Sequence, residues 1–297
     1  MTLLVKAGKY TGDGSDPQTI SGVGFQPKAV FIMATTGTGS ASCTQWKTAD
    51  MSTGATGVTR SLGDAVELAT GQIDSFTSDG FLVRDQKNIS TRAYYYLALG
   101  GSSCVTGTYT GDGIDNKAIT GIGFKPKWVV VGGGAATSTL HKCTATGDST
   151  DNSQYFLGAV DTANRIQSLD SDGFTVGNAT NINVAATTYY YMAITGDNVF
   201  SGSYTGDLVD NTLKTGIPFI PESILIKGSG ATQSFWRTKE SGDLTSRMTA
   251  NQGPTSNGIQ AYLFRGFNLG SGTSVNNTAV TYYYIAFGKT GGDGGFF

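Results

Sequence analysis

Three pairs of aspartates recur at one spacing, Asp13/Asp16, Asp112/Asp115 and Asp207/Asp210. Two carboxylates in a glycine-rich turn could offer oxygen ligands to Ca2+, although a calcium loop uses a longer run of ligands than this. Aspartate also closes turns by accepting hydrogen bonds from nearby backbone, which needs no metal. Turn closure is the simpler expectation, and the six aspartates stand as calcium candidates beside it. A second recurring group couples a ring to a cation: Trp46-Lys47, His141-Lys142 and Trp236-Arg237. An exposed tryptophan could stack on a sugar or anchor a protein contact, since Trp and Arg dominate binding hot spots. Core packing of the ring is the simpler reading. The neighbouring cation argues against full burial and keeps all six residues as candidate interface or glycan contacts.

Catalytic chemistry finds little purchase. A nucleophile-imidazole pair needs a histidine, and the single histidine, His141, sits in a column that holds tryptophan elsewhere. A glycosidase could use carboxylates, but Glu67, Glu222 and Glu240 share no column and no aspartate pair is set apart from the others. Phosphate loops and HExxH are absent. Steps such as Gly22-Val-Gly24 lie among strand signals with no helix to follow, so they are turn chemistry rather than a nucleotide fingerprint. Cys43, Cys104 and Cys143 are odd in number and lack CxxC spacing, which predicts small buried or half-buried thiols rather than disulfides or zinc. The expectation is a non-enzymatic chain without cofactor or resident metal.

The elements that hold these residues repeat about every hundred residues. Gly8-Lys-Tyr10-Thr-Gly12-Asp13 returns as Gly107-Thr-Tyr109-Thr-Gly111-Asp112 and as Gly202-Ser-Tyr204-Thr-Gly206-Asp207. Gly22-Val-Gly24-Phe25-Gln-Pro27 matches Gly121-Ile-Gly123-Phe124-Lys-Pro126 and, more loosely, Gly216-Ile-Pro218-Phe219-Ile-Pro221. Ser78-Asp79-Gly80-Phe81 matches Ser171-Asp172-Gly173-Phe174, whereas the third copy has Phe264-Arg-Gly266-Phe267. Every copy closes on a tyrosine triplet, Tyr94–Tyr96, Tyr189–Tyr191 and Tyr282–Tyr284. Such a period exceeds that of solenoids and propellers, so each repeat is a domain. The boundaries predicted are 1–100, 101–196 and 197–289, with short turn-like links that leave the copies packed together, and a Gly-rich tail at 290–297.

Within a copy the signals are all-β. Ala29-Val-Phe-Ile-Met and Trp128-Val-Val-Val have the length and branching of buried strands. Asp-Gly before Phe81 and Phe174 predicts a tight turn with Gly at positive φ. The tyrosine triplets predict strands with large side chains on both faces. Six to eight strands per copy suit a β-sandwich, with a jelly roll as the specific guess. Three fused copies could stand as a pseudo-trimer. Composition agrees: Gly occurs 43 times in 297 residues and charged residues make up 14%, a poor mixture for helices. The net charge of −2 leaves no footprint for nucleic acid. No apolar stretch approaches the ~20 residues of a membrane span. The first residues lack a basic start and an apolar core of signal-peptide length, which predicts a protein made in a cytoplasm.

The opening G-x-Y-T-G-D motif, the G-[IV]-G-F-x-P-K segment, the S-D-G-F turn and the Y-Y-Y-x-A strand together resemble modules of tailed-phage virion proteins, both tail-fibre-like and capsid-decorating. The likeness spans Gly8 to Phe287, and the third copy departs from it at Leu208, Pro218 and the lost Asp-Gly turn. It implies a virion location after assembly in the host cytoplasm; the triplication, as a pseudo-three-fold object, points to a cement role on the head shell with the major capsid protein or other virion proteins as partner. A tail-borne receptor that binds host-surface glycan is the alternative, and a polysaccharide-degrading enzyme a third. Phe296 and Phe297 are then candidate anchors at the end of an extended tail.

Overall fold

The computed structural model describes residues 1–34, 43–62, 67–68, 72–133, 138–147, 150–242, 244–248 and 256–289. Its strands fall into six antiparallel sheets, two from each third of the chain. The first third supplies β1 (Leu3–Thr11), β2 (Gln18–Ile20), β3 (Ala29–Ala34), β4 (Gln45–Thr48), β5 (Thr59–Ser61), β6 (Glu67–Leu68), β7 (Ile73–Thr77), β8 (Gly80–Val83) and β9 (Ala93–Gly101). They form one large sheet, β1-β9-β3-β4-β5-β6, and one small sheet, β2-β8-β7.

The second third supplies β10 (Cys104–Thr110), β11 (Lys117–Ile119), β12 (Trp128–Gly133), β13 (Leu140–Cys143), β14 (Gln154–Tyr155), β15 (Ile166–Asp170), β16 (Gly173–Val176) and β17 (Thr188–Ile194). The last supplies β18 (Val199–Thr205), β19 (Thr212–Thr215), β20 (Pro221–Gly228), β21 (Ser234–Thr238), β22 (Ser246–Arg247), β23 (Ile259–Leu263), β24 (Gly266–Leu269), one helical turn α1 (Thr273–Asn276) and β25 (Thr281–Gly288). The orders β10-β17-β12-β13-β14 with β11-β16-β15, and β18-β25-β20-β21-β22 with β19-β24-β23, repeat the first third's plan. This order departs from the jelly roll expected. There the third and fourth strands lie in opposite sheets, whereas β3 and β4 here pair directly, Ala29 with Thr48 through Ile32 with Gln45.

Both faces of each large sheet are buried, and alternation along a strand divides them. On β3, Val30, Ile32 and Ala34 join Tyr94, Tyr96 and Ala98 of β9 in a cluster with Ile20, Ile73, Phe81 and Val83 of the small sheet. The intervening Ala29, Phe31 and Met33, with Tyr95, Leu97 and Leu99, enter a second cluster that all three thirds share. Cys104, Trp128, Val130 and Met192 come to it from the second, and Val199, Leu225, Trp236, Met248, Ile285 and Phe287 from the third. Burying one such large side chain contributes roughly 1.5–3 kcal/mol. Six of them from the third copy alone rival the ~5–15 kcal/mol net stability of a typical domain. The three copies are therefore not independent beads.

Hydrogen bonds cross every junction. Trp46 Nε1 donates to Thr139 Oγ1 at 3.2 Å between first and second copies. Ser234 N donates to Phe156 O at 3.0 Å between third and second, and Thr44 N to Met248 O at 2.9 Å between first and third. Each copy thus touches both others. The lysine after the strand-leading proline ties one copy to the next. Lys28 Nζ donates to Cys104 O at 3.0 Å, and Lys127 Nζ to Val199 O at 3.3 Å. In the last copy the position is Glu222, which pairs instead with Lys239. Asn198 Nδ2 closes the remaining seam by donating to Leu3 O at 3.0 Å.

Candidate functional site

The aspartate turns are built around a buried asparagine that the motif search missed. Asn88 Oδ1 accepts from Asp13 N at 2.9 Å, while its Nδ2 donates to Asp13 Oδ1 at 3.0 Å and Ser15 O at 2.6 Å. Asn183 repeats this with Asp112 N at 3.0 Å, Asp112 Oδ1 at 3.1 Å and Ile114 O at 2.8 Å. Asn276 accepts from Asp207 N at 3.0 Å and donates to Val209 O at 3.0 Å. The signal was available, because each asparagine stands six residues before the first tyrosine of its triplet. That tyrosine and the opening-motif tyrosine frame the turn. Tyr10 and Tyr94 stack at 4.9 Å, Tyr109 and Tyr189 at 5.1 Å, and Tyr204 and Tyr282 at 5.2 Å.

The carboxylates are committed to closing these turns. Asp13 Oδ1 accepts from Ser15 N at 2.7 Å, and Asp112 Oδ1 from Ile114 N at 2.9 Å. Asp207 Oδ1 accepts from Val209 N at 2.9 Å. The Ser15 hydroxyl and amide hold the Asp13 carboxyl below its usual range, and Lys117 with the Ile114 amide bring Asp112 to about 2. Asp16 pairs with Arg84, while Asp115 and Asp210 accept from Gln167 and Gln260 at 2.9 and 2.8 Å. Among the described residues, no group of three or more His, Cys, Asp or Glu is placed to hold a metal. Removing the lock is testable: Asn183→Ala leaves a buried amide and carbonyl unmet and should cost about 1–3 kcal/mol, read as a lower denaturant midpoint at unchanged slope.

The ring-cation columns are interior. Trp46, His141 and Trp236 are each no more than 1% exposed, and Lys47, Lys142 and Arg237 are buried with them. These six residues therefore offer no surface to a glycan or a partner, which corrects the expectation that a neighbouring cation keeps the strand open. The rings enter or adjoin the shared core. Trp46 stacks on Phe31 at 6.0 Å, and His141 lies 4.4 Å from the Phe156 ring. The cations point the other way and satisfy loop carbonyls. Lys47 Nζ donates to Ser52 O at 2.5 Å and Val58 O at 2.8 Å. Lys142 Nζ donates to Thr150 O at 2.6 Å and Asn152 O at 2.7 Å, and Arg237 Nε donates to Gly242 O. Burial lowers Lys47 to about 8. Phe296 and Phe297 lie outside the described residues.

The Asp-Gly turns meet expectation in the second copy, where Gly173 is at φ 151, and depart from it in the first. Asp79 accepts from Gly22 N at 2.9 Å and Gly24 N at 2.7 Å, and Asp172 from Gly121 N at 3.0 Å and Gly123 N at 2.6 Å. Gly80 is not at positive φ. It is glycine because a Cβ there would stand 1.9 Å from Ile20 O. In the third copy Pro218 has no N–H to donate, and Arg265 stands where the acceptor would be. The hairpin survives through Gly266, with Arg265 at φ 60 and Ile217 N donating to Arg265 O at 3.2 Å.

Several clefts open at the surface of the described residues. One of about 410 Å3, lined by Ser15, Asp16, Arg84 and Asp85, is crossed by Arg84, which pairs with Asp16 and with Asp74 at 2.9 Å. The three cysteines are buried thiols outside any disulfide. No protein-family model matches the sequence, and no curated protein is similar to it. What the arrangement supports is a body whose repeated aspartates, asparagines and buried cations are spent on its own turns and loops.

Proposed function

We propose that the chain is a non-enzymatic structural protein of a tailed-phage virion, a decoration or cement component bound to the head shell. In this reading each third is a β-sandwich module and the three stand as a pseudo-trimer. The observation that carries it is the core shared by all three copies, which welds them into one body with three related outer surfaces. Capsid lattices present local three-fold positions that such a body could clamp. Fusion in one chain removes the association entropy that three separate subunits would lose. It also lets one copy diverge toward a neighbour that the other two do not meet.

The tail alternative relied on Trp46 and Trp236 as glycan contacts, and both lie in the core, so the head reading is the one favoured. Copy number tests it. Quantitative mass spectrometry of purified particles should find the chain at hundreds of copies per virion, in proportion to the major capsid protein. A handful of copies would place it in the tail and overturn the reading, as would turnover of a polysaccharide by the purified chain.

A further inference from the structure

The third copy differs from its sisters along one line, the outer edge of its small sheet. In the order β19-β24-β23, β19 is the edge strand, and its outer side pairs with no strand among the described residues. Leu208 and Val209 lead into it and Leu213 lies in its middle, 39, 57 and 52% exposed. Pro218 and Ile220 follow it, both exposed. The Ile217–Arg265 hydrogen bond brings up the hairpin that carries Phe264, 76% exposed. The first copy holds Gly14, Ser15, Thr19, Gly24, Gln26 and Ser78 at these six positions. The second holds Gly113, Ile114, Ala118, Gly123, Lys125 and Ser171, with only Ile114 comparably apolar.

Folding does not explain the exchange. Leu208 sits at φ 60 where the sisters have glycine at φ 78 and 74, a conformation that bulky residues rarely adopt. The Pro218 and Arg265 pair gives up two hydrogen bonds to a carboxylate that both sisters keep. Local rules broken in one copy of three mark a surface kept for binding, and an exposed apolar edge strand is a template for another strand.

We propose that this edge is a self-association surface, on which two chains pair β19 to β19, antiparallel, about a two-fold axis near Leu213. The segment itself has the properties its partner must have. It is apolar, its strand residues Thr212–Thr215 are extended, and its charges are polar along its length. Asp207 and Asp210 stand at its start and Arg265 beside its end, while Lys214, next to the axis, lies over the Tyr204 ring. An antiparallel two-fold pairing sets the acidic end of each chain against the basic end of the other, as an isologous contact requires, and aligns Leu213 with its own copy across the axis. The inference goes beyond the virion reading and does not depend on it.

Sedimentation equilibrium of the full chain from micromolar to submillimolar concentration tests it. The mass should rise from 30.9 kDa toward twice that value. A chain that stays at 30.9 kDa throughout overturns the proposal, and so does assembly beyond a dimer. The variant Leu208→Gly/Leu213→Thr/Phe264→Ser takes the first copy's residues at three of the six positions. It should remain monomeric with an unfolding midpoint no lower than the parent's, and dimers as strong as wild type would contradict the surface. Arg265→Glu alone should weaken pairing about tenfold at low salt, and an unchanged constant would rule out the antiparallel register.

Discussion

Lowering the pH from 7 to 4 should destabilise the folded chain by about 3 kcal/mol through His141 alone. The imidazole is buried, neither ring nitrogen has a hydrogen-bond partner among the described residues, and it packs between Phe156 and Trp128. Burial first, and the Lys227 charge second, bring it to about 3 from an ordinary 6.5. The folded form therefore holds a neutral ring that the unfolded chain would protonate. Its contribution is fully present above pH 6.5 and is lost as the pH falls toward 3. Carboxylates such as Asp112 also lose stabilising contacts in acid, so the measurement is a difference. Urea unfolding at pH 7 and pH 4 should show wild type losing about 3 kcal/mol more than His141→Phe. Equal losses would mean that the ring is hydrated in the folded chain.

The second large effect is expected at Trp46. The ring is fully buried, stacks on Phe31 and bonds across the junction to Thr139. Trp46→Ala should cost about 3–5 kcal/mol through the lost burial and the cavity left behind. Because the cavity opens in the shared core, the loss should lower the midpoint of all three copies. Fluorescence of the remaining Trp128 and Trp236 would report it. Those two should move together with the far-ultraviolet circular dichroism. A first copy that melts early while Trp236 keeps its wild-type midpoint would show that the core is not shared in solution.

Much of a single copy was legible in the repeat columns. The apolar run Ala29–Met33 became β3, and the tyrosine triplets became strands with both faces filled. Three things were not legible, each for a physical reason. The cation after Trp46 and Trp236 implied an open strand, because a buried ammonium normally costs too much. Here the loops return carbonyls to it, and loop geometry does not show in a column. The second copy carries His141 where the others have tryptophan. Its compensation lies on the strand it pairs with, since Trp128 stands where the other copies have Ala29 and Ser223, so bulk lost on one strand is regained on its neighbour. The locking asparagines carry no distinctive signal of their own, because Asn is common in loops. Only their constant distance from the triplet separates Asn88, Asn183 and Asn276 from the rest.

The shared core is tested most directly by calorimetry of the intact chain. One transition, with calorimetric and van't Hoff enthalpies equal, is the expected result for three copies that unfold as a unit. Two or three resolved transitions, or a calorimetric enthalpy several times the van't Hoff value, would show copies melting separately and contradict the single welded body.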